Sequence, residues 1–152
     1  MDVLEIFNKF DKQWALVTAG TRAGFTPLTI SWGAMGTLGN RPAVTVYVRP
    51  SRYTHEFMES EELFTVSFYP EEYRKDLGKL GTLSGRDYDK VAETRLTPVP
   101  VEVKAGETMS FAQAELTLVC RKMFSADMDK AAISPERRLI TTLPMSPRTP
   151  CT

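Results

Sequence analysis

Residues 48–57 read V-R-P-S-R-Y-T-H-E-F and indicate the end of a strand followed by the start of a helix. Pro50 cannot donate a hydrogen bond to a neighbouring strand, so it ends the strand and turns the chain. Tyr53 and the phenylalanine four residues later share one face of a helix, with Ser51 or Thr54 as its cap. This segment therefore predicts a strand-to-helix junction.

Strand-like runs dominate the chain on both sides of the junction. They are rich in β-branched and aromatic residues, are separated by turn residues, and comprise residues 14–20, 28–37, 43–48, 63–69 and 109–124. Gly39-Asn40 separates the second run from the third and predicts a β-hairpin. In the fourth run, apolar residues alternate with hydroxyl-bearing ones, which is typical of a half-buried strand.

Short helices are predicted between these strands. Acidic residues follow Pro70 in a helix over residues 71–80, and Asp87 is placed to cap a third helix that carries Lys90. Because the strands succeed one another without regular crossover helices, an antiparallel β-barrel fits better than a parallel doubly wound sheet. The predicted fold class is mainly β, an antiparallel barrel with short helices.

Composition excludes several classes of function. The 152 residues are 42% hydrophobic and carry 19 basic and 19 acidic side chains, so no global basic field favours nucleic acid. No apolar run reaches membrane-spanning length, and none near the N-terminus predicts a signal peptide. Cys120 and Cys151 lack metal-site spacing, which favours a reduced, cytoplasmic location. The only histidine, His55, has no plausible catalytic or metal-binding partner, so no catalytic or metal-ligating residue is predicted.

Three segments are candidates for a ligand site. Residues 29–33 (T-I-S-W-G) place hydroxyls and an indole on alternate faces of a strand, although, taken alone, an ordinary half-exposed strand with a core tryptophan explains them better. Residues 49–54 combine a helix start, hydroxyls and two guanidiniums, which suit a phosphate but also fit a capped helix with solvated arginines. Residues 84–90 (S-G-R-D-Y-D-K) again join hydroxyl, glycine and basic groups, and a capped turn accounts for them without a ligand.

Taken together, these segments and F-Y-P-E-E-Y-R-K (residues 68–75) resemble the flavin reductase-like, FMN-binding split-barrel family, to which the flavoredoxins belong. The resemblance runs from about residue 14 to about residue 129. It implies a split barrel, FMN as cofactor, NADH or NADPH as a possible transient hydride donor, and a homodimer with FMN near the subunit interface.

The resemblance also implies a cofactor site, with the isoalloxazine ring against the first segment and the phosphate on the second and third. The implied cofactor-binding residues are Thr29, Ile30, Ser31, Trp32, Arg49, Pro50, Ser51, Tyr53, Thr54, Ser84, Gly85 and Lys90. Arg52 and Arg86 are second choices. Arg52, one residue beyond Ser51, is expected to be more accessible to water than Arg49.

Two functions remain open. One is a flavin reductase-like oxidoreductase that transfers electrons from NAD(P)H through FMN to an acceptor. The other is an FMN-carrying electron-transfer protein without significant NAD(P)H reductase activity. A weaker third alternative, a barrel that binds another ligand such as haem, arises because this chain departs from the family pattern.

The departures lie before the first segment and at the C-terminus. Thr26-Pro27 stands where relatives usually have Asn-Thr, so an amide contact to the flavin edge is expected to be missing. Relatives usually continue with an acidic, aromatic segment and a last strand, whereas this chain has no acidic residue after Glu136. We assign residues 1–134 to the flavin reductase-like domain and 135–152 to an atypical C-terminal tail.

Overall fold

A computed structural model describes residues 3–129 and residue 131. The predicted tail, residues 135–152, lies outside the described residues. In chain order the elements are α1 (Val3–Asn8), a π-helical segment (Lys9–Gln13), β1 (Ala15–Thr21), β2 (Gly24–Ile30), β3 (Gly33–Leu38), β4 (Arg41–Val46), α2 (Tyr53–Ser60), β5 (Leu63–Phe68), a 3₁₀ turn (Glu71–Tyr73), α3 (Arg74–Thr82), β6 (Pro98–Val103), β7 (Gly106–Phe111) and β8 (Leu116–Arg121). No helix in this part of the chain is long and apolar enough to cross a membrane.

The strands form one larger sheet and two hairpins, and every pairing described is antiparallel. The larger sheet has four strands in the order β2-β1-β5-β8. The β3-β4 hairpin packs against one face of this sheet through apolar side chains, and β7 packs against the other face. This arrangement confirms the predicted mainly-β, antiparallel fold with short helices.

One of two buried apolar clusters among the described residues lies on the face that the β3-β4 hairpin covers, and the other comprises Leu16, Tyr69, Leu77, Leu80, Leu96 and Phe111. The buried members of the first cluster are Phe10, Ala15, Val17, Ala19, Leu28, Ile30, Phe64, Val66 and Phe68. Alternate residues of β1 and β5 thus point to this side, as the period of two of a strand requires. Burial of these side chains is the main stabilising contribution on this face.

The opposite face of β5 is lined by hydroxyls that β7 covers. Thr65 donates to the Met109 carbonyl at 2.7 Å, and the hydroxyls of Ser67 and Ser110 lie 3.1 Å apart. All residues of β5 are consequently buried. The prediction of a half-buried strand is wrong here, because the polar face meets another strand instead of water.

The predicted hairpin turn is confirmed. Gly39 and Asn40 both have positive φ, 57° and 60°, and Leu38 pairs with Arg41 across them. Two central residues with positive φ define a type I′ turn, which suits glycine and asparagine. Two predicted runs are each divided in the structure: residues 28–37 break at Ser31 and Trp32, and residues 109–124 break between β7 and β8.

Two predicted caps are wrong. The N-cap of α2 is Arg52, without a side-chain hydrogen bond, because the hydroxyl of Thr54 faces that of Thr26 instead, at 3.3 Å. The helix expected after Asp87 is replaced by turns, in which the Asp87 N–H donates to the Ser84 carbonyl at 3.2 Å. These turns bring Lys90 back to the end of α3.

Candidate functional site

The second and third candidate segments meet at a small cavity beside the start of α2. Its volume is about 50 Å³. The wall consists of Leu28, Ser51, Arg52, Tyr53, Thr54, Leu83, Ser84, Gly85 and Lys90. Members of both segments therefore share one cavity, although α2, β5 and α3 separate them in the chain.

Lys90 is the buried cation of this cavity. It is 4% exposed, and its ammonium donates hydrogen bonds to the carbonyls of Leu80 at 3.2 Å and Leu83 at 3.5 Å. These carbonyls lie at the C-terminal end of α3, where a helix leaves acceptors unpaired and favours positive charge. An ammonium has three donors, so one N–H is left for a ligand.

The charge of Lys90 is not balanced by any carboxylate of the described residues. Burial lowers its pKa to about 8, and the positive charge of Arg52 acts in the same direction. Both effects disfavour the protonated ammonium, and an anion placed in the cavity would counteract both. The electrostatics of the cavity therefore favour an anionic ligand.

The two arginines of the second segment have the reverse of the expected exposure. Arg52 is half buried and lines the cavity, whereas Arg49 is exposed. The Arg52 N–H donates to the Arg49 carbonyl at 2.9 Å, and this turn folds the segment back so that Arg52 reaches the wall. The expectation that Arg52 is the more accessible is wrong. Pro50 and Ser51 are exposed within this turn, and Pro50 does not line the cavity.

Thr54 and Gly85 make the wall tight. Thr54 is buried, and its hydroxyl lies 3.3 Å from that of Thr26. A Cβ added to Gly85 would lie 3.0 Å from the Tyr53 ring and 3.1 Å from the Thr26 hydroxyl. A side chain at Gly85 would therefore require its neighbours to shift by a few tenths of an ångström.

The first segment lies at the end of β2, and its side chains do not converge on the cavity. The Thr29 hydroxyl donates to the Leu77 carbonyl of α3 at 2.6 Å, and Ile30 belongs to the apolar core. A ring system bound here would have to contact the backbone at these two positions. Ser31 is half buried, and Trp32 is 64% exposed, which excludes the core position considered for its indole.

Trp32 brings the first segment next to the second. The guanidinium carbon of Arg49 lies 5.8 Å from the centre of the indole ring, within the range of a cation–π contact. Among the residues that sequence reasoning did not assign, Leu28 and Leu83 complete the wall. Apolar side chains carry no signal for an anion, so no sequence pattern indicated them.

A family model of the flavin reductase-like domain matches residues 7–133. No protein of curated function matches the chain in sequence. Among solved structures, flavoredoxin of Desulfovibrio vulgaris (Miyazaki F) is 21% identical with a TM-score of 0.66, over 75% of this chain and 61% of that one. Flavoredoxin from Methanosarcina acetivorans is also 21% identical, with a TM-score of 0.65, over 76% of this chain and 60% of that one.

A third solved structure extends the comparison to an enzyme domain. The FMN-binding domain of a flavin reductases-like enzyme from Shewanella baltica OS155 is 16% identical with a TM-score of 0.63, over 80% of this chain and 63% of that one. The chain thus spans less than two thirds of the length of these structures. At such identities the likeness establishes the fold, which is the predicted split barrel. The match to the domain model over residues 7–133 shows that the chain belongs to the flavin reductase-like domain family.

Proposed function

We propose that this chain binds FMN, with the phosphate in the cavity between the second and third segments. We further propose that it is a flavin reductase-like oxidoreductase, transferring electrons from NADH or NADPH through FMN to an acceptor. The observation that carries the proposal is the buried ammonium of Lys90, which has a donor to spare and no described carboxylate partner.

The residues present fit the phosphate end of FMN. A volume of about 50 Å³ holds a few water-sized groups, so it suits a small anion and excludes a three-ring system. Lys90 and Arg52 supply positive charge, while Ser51, Thr54 and Ser84 supply hydroxyls on the same wall. Charge-assisted hydrogen bonds of this kind are shorter and stronger than neutral ones.

The remaining predicted residues would contact the rest of the cofactor. The backbone of Thr29 to Trp32 is proposed to face the ring system, and Arg49 and Tyr53 the region between ring and phosphate. Gly85 keeps the wall narrow. When bound, FMN supplies the electron chemistry by accepting a hydride and passing on one or two electrons.

The protein's own contribution is to bind, orient and shield. Lys90 and Arg52 fix the charged end, and the packing of Thr29 against α3 fixes the strand that the ring would face. Trp32 is open to solvent, which leaves space beside it for the nicotinamide that donates the hydride and for the acceptor that takes up the electrons. We assign no side chain as a general acid or base.

A titration followed by flavin fluorescence tests the binding proposal. FMN should bind at least tenfold more tightly than riboflavin, because one lost charge-assisted hydrogen bond corresponds to about 1.5–3 kcal/mol. Equal affinity for the two flavins would show that the cavity does not hold the phosphate.

Stopped-flow mixing of the FMN-loaded protein with NADH or NADPH tests the reaction. Rapid bleaching of the flavin absorbance supports the oxidoreductase. If neither nucleotide reduces the flavin but a chemical reductant does, the chain is the FMN-carrying electron-transfer protein instead. Both functions use the same cofactor site, so this experiment separates them without disturbing it.

We also propose that the protein is a homodimer. Trp32 is 64% exposed and Tyr47 44% exposed, and exposed apolar area of this kind is commonly covered by a partner. Tyr53 adds less to this surface, because it is half buried against Phe57, with ring centres 5.2 Å apart. A cytoplasmic location stays a prediction from the sequence.

A further inference from the structure

The third segment carries a guanidinium outside the cavity wall, at Arg86. One of its nitrogens donates to the Ser51 carbonyl at 3.2 Å, another pairs with the Glu56 carboxylate, and its carbon lies 5.2 Å from the centre of the Tyr53 ring. Ser51 and Tyr53 line the cavity on the side of α2, and Gly85, adjacent to Arg86, lines it on the other. Arg86 thus bridges the two sides.

We propose that Arg86 is a positioning residue that ties the two walls of the phosphate cavity together and is not itself a phosphate ligand. This inference rests on the proposed function. The planar guanidinium can hold two acceptors in fixed directions, which a point charge such as lysine cannot do. Here the two acceptors lie on α2 and on the turn before it, while the arginine belongs to the loop after α3.

The partner of Arg86 determines which role it has. Glu56 neutralises the guanidinium, so the net positive charge at the cavity comes from Lys90 and Arg52. The backbone N–H of Arg86 also donates to the Ser84 hydroxyl at 3.2 Å, which orients a polar group of the wall. A wall that is held before the ligand arrives needs less ordering on binding, and this increases affinity.

Substitution of Glu56 gives opposite results for the two roles. If Arg86 positions the walls, Glu56→Gln weakens the tie and FMN binds less tightly. If Arg86 is a phosphate ligand restrained by Glu56, the same variant releases it and FMN binds more tightly. Glu59→Gln, an exposed acid on the same helix, is the control for the change of charge.

The decisive experiment combines flavin titration with amide hydrogen exchange of the ligand-free protein. Arg86→Ala should weaken FMN binding about two- to fivefold, the range expected for an exposed ion pair, while riboflavin binding is unchanged. The Arg52 and Asp87 amides, whose turn hydrogen bonds lie on the two walls, should exchange faster. Arg86→Lys, which keeps the charge without the planar fork, should restore little. Arg121→Ala, which removes the exposed pair with Glu62 away from the cavity, should change neither measurement.

Two results would overturn the inference. One is tighter FMN binding in Glu56→Gln, and the other is unchanged exchange at both amides in Arg86→Ala. Failure of the proposed function is a separate outcome, recognised in the unmodified protein by equal affinity for FMN and riboflavin. In that case the exchange rates alone still decide whether Arg86 ties the walls.

Discussion

Lys90 should cause FMN binding to weaken as the pH rises through about 8. In the free protein, burial and then the charge of Arg52 lower the pKa of its ammonium from 10.5 to about 8. A phosphate bound beside it carries negative charge throughout this range and favours the protonated form, which raises the pKa again. Above about pH 8 binding therefore requires the uptake of a proton, and the affinity falls.

The size of the effect follows from this pKa. An ammonium with a pKa of about 8 is about nine-tenths protonated at pH 7 and about one-tenth protonated at pH 9. The dissociation constant of FMN should consequently rise about tenfold between these two values. Lys90→Met, which loses a charge-assisted hydrogen bond to the ligand, should weaken binding about 10- to 150-fold at pH 7.

Flavin titrations at both pH values, with FMN and with riboflavin, provide the assay. Lys79→Met is the matched control, because Lys79 also donates to a carbonyl, that of Glu93 at 2.7 Å, but from an exposed position. The unmodified protein and Lys79→Met should show the tenfold change with FMN only, and Lys90→Met should bind weakly at both values. An equally steep pH dependence in Lys90→Met would refute the reasoning, since another group would then be titrating.

Three further predictions concern the wall, the fold and the assembly. Gly85→Ala should weaken FMN binding, because its Cβ would lie 3.0 Å from the Tyr53 ring. Gly24→Ala is the control, since its Cβ would meet nothing within 4 Å. Equal FMN affinities of the two variants in a titration would contradict this prediction. Asp76→Asn should lower the free energy of unfolding in urea by about 2–3 kcal/mol, because the 3%-exposed carboxylate accepts hydrogen bonds from the backbone and guanidinium of Arg95. Burial alone would raise the pKa of Asp76, but the hydrogen bonds from Arg95 outweigh it, and the net pKa is lowered below 3.8. The stability that the Asp76 carboxylate contributes is therefore lost only when the pH falls through this lowered pKa. Size-exclusion chromatography with light scattering should give a dimer with and without FMN, and a monomer that binds FMN tightly would overturn the interfacial site.

Features that depend on a few consecutive residues were predictable from the sequence. Gly39-Asn40 specifies its turn because both positions need positive φ, whatever surrounds them. The helix that begins at Tyr53 follows from the aromatic spacing and from the proline before it. Ser84, Gly85 and Lys90 lie within one short segment of the chain, and the structure places all three on the wall of one cavity.

Features that depend on distant contacts could not be predicted. The hydroxyl face of β5 is buried because Thr65 meets Met109, 44 residues away, and alternation alone cannot show what covers a face. The order of exposure of Arg49 and Arg52 depends on how their turn meets α2 and the loop after α3. The sequence after Ser84 contains a plausible cap at Asp87, yet the chain forms turns there, in which Lys90 reaches the carbonyls at the end of α3.

This unpredicted geometry also connects stability with function. A lysine whose pKa falls from 10.5 to about 8 on folding destabilises the ligand-free protein at neutral pH by at most about 3 kcal/mol, and by less where water screens the ammonium. The unfolded chain binds more protons between about pH 8 and 10.5, so the contribution of Lys90 to stability rises with pH in that window. A bound phosphate would remove this penalty and convert it into affinity. The hydrogen bonds to the carbonyls at the end of α3 hold the Lys90 ammonium in place, but they do not balance its charge beside Arg52, which is why the position of Lys90 argues for an anionic ligand there.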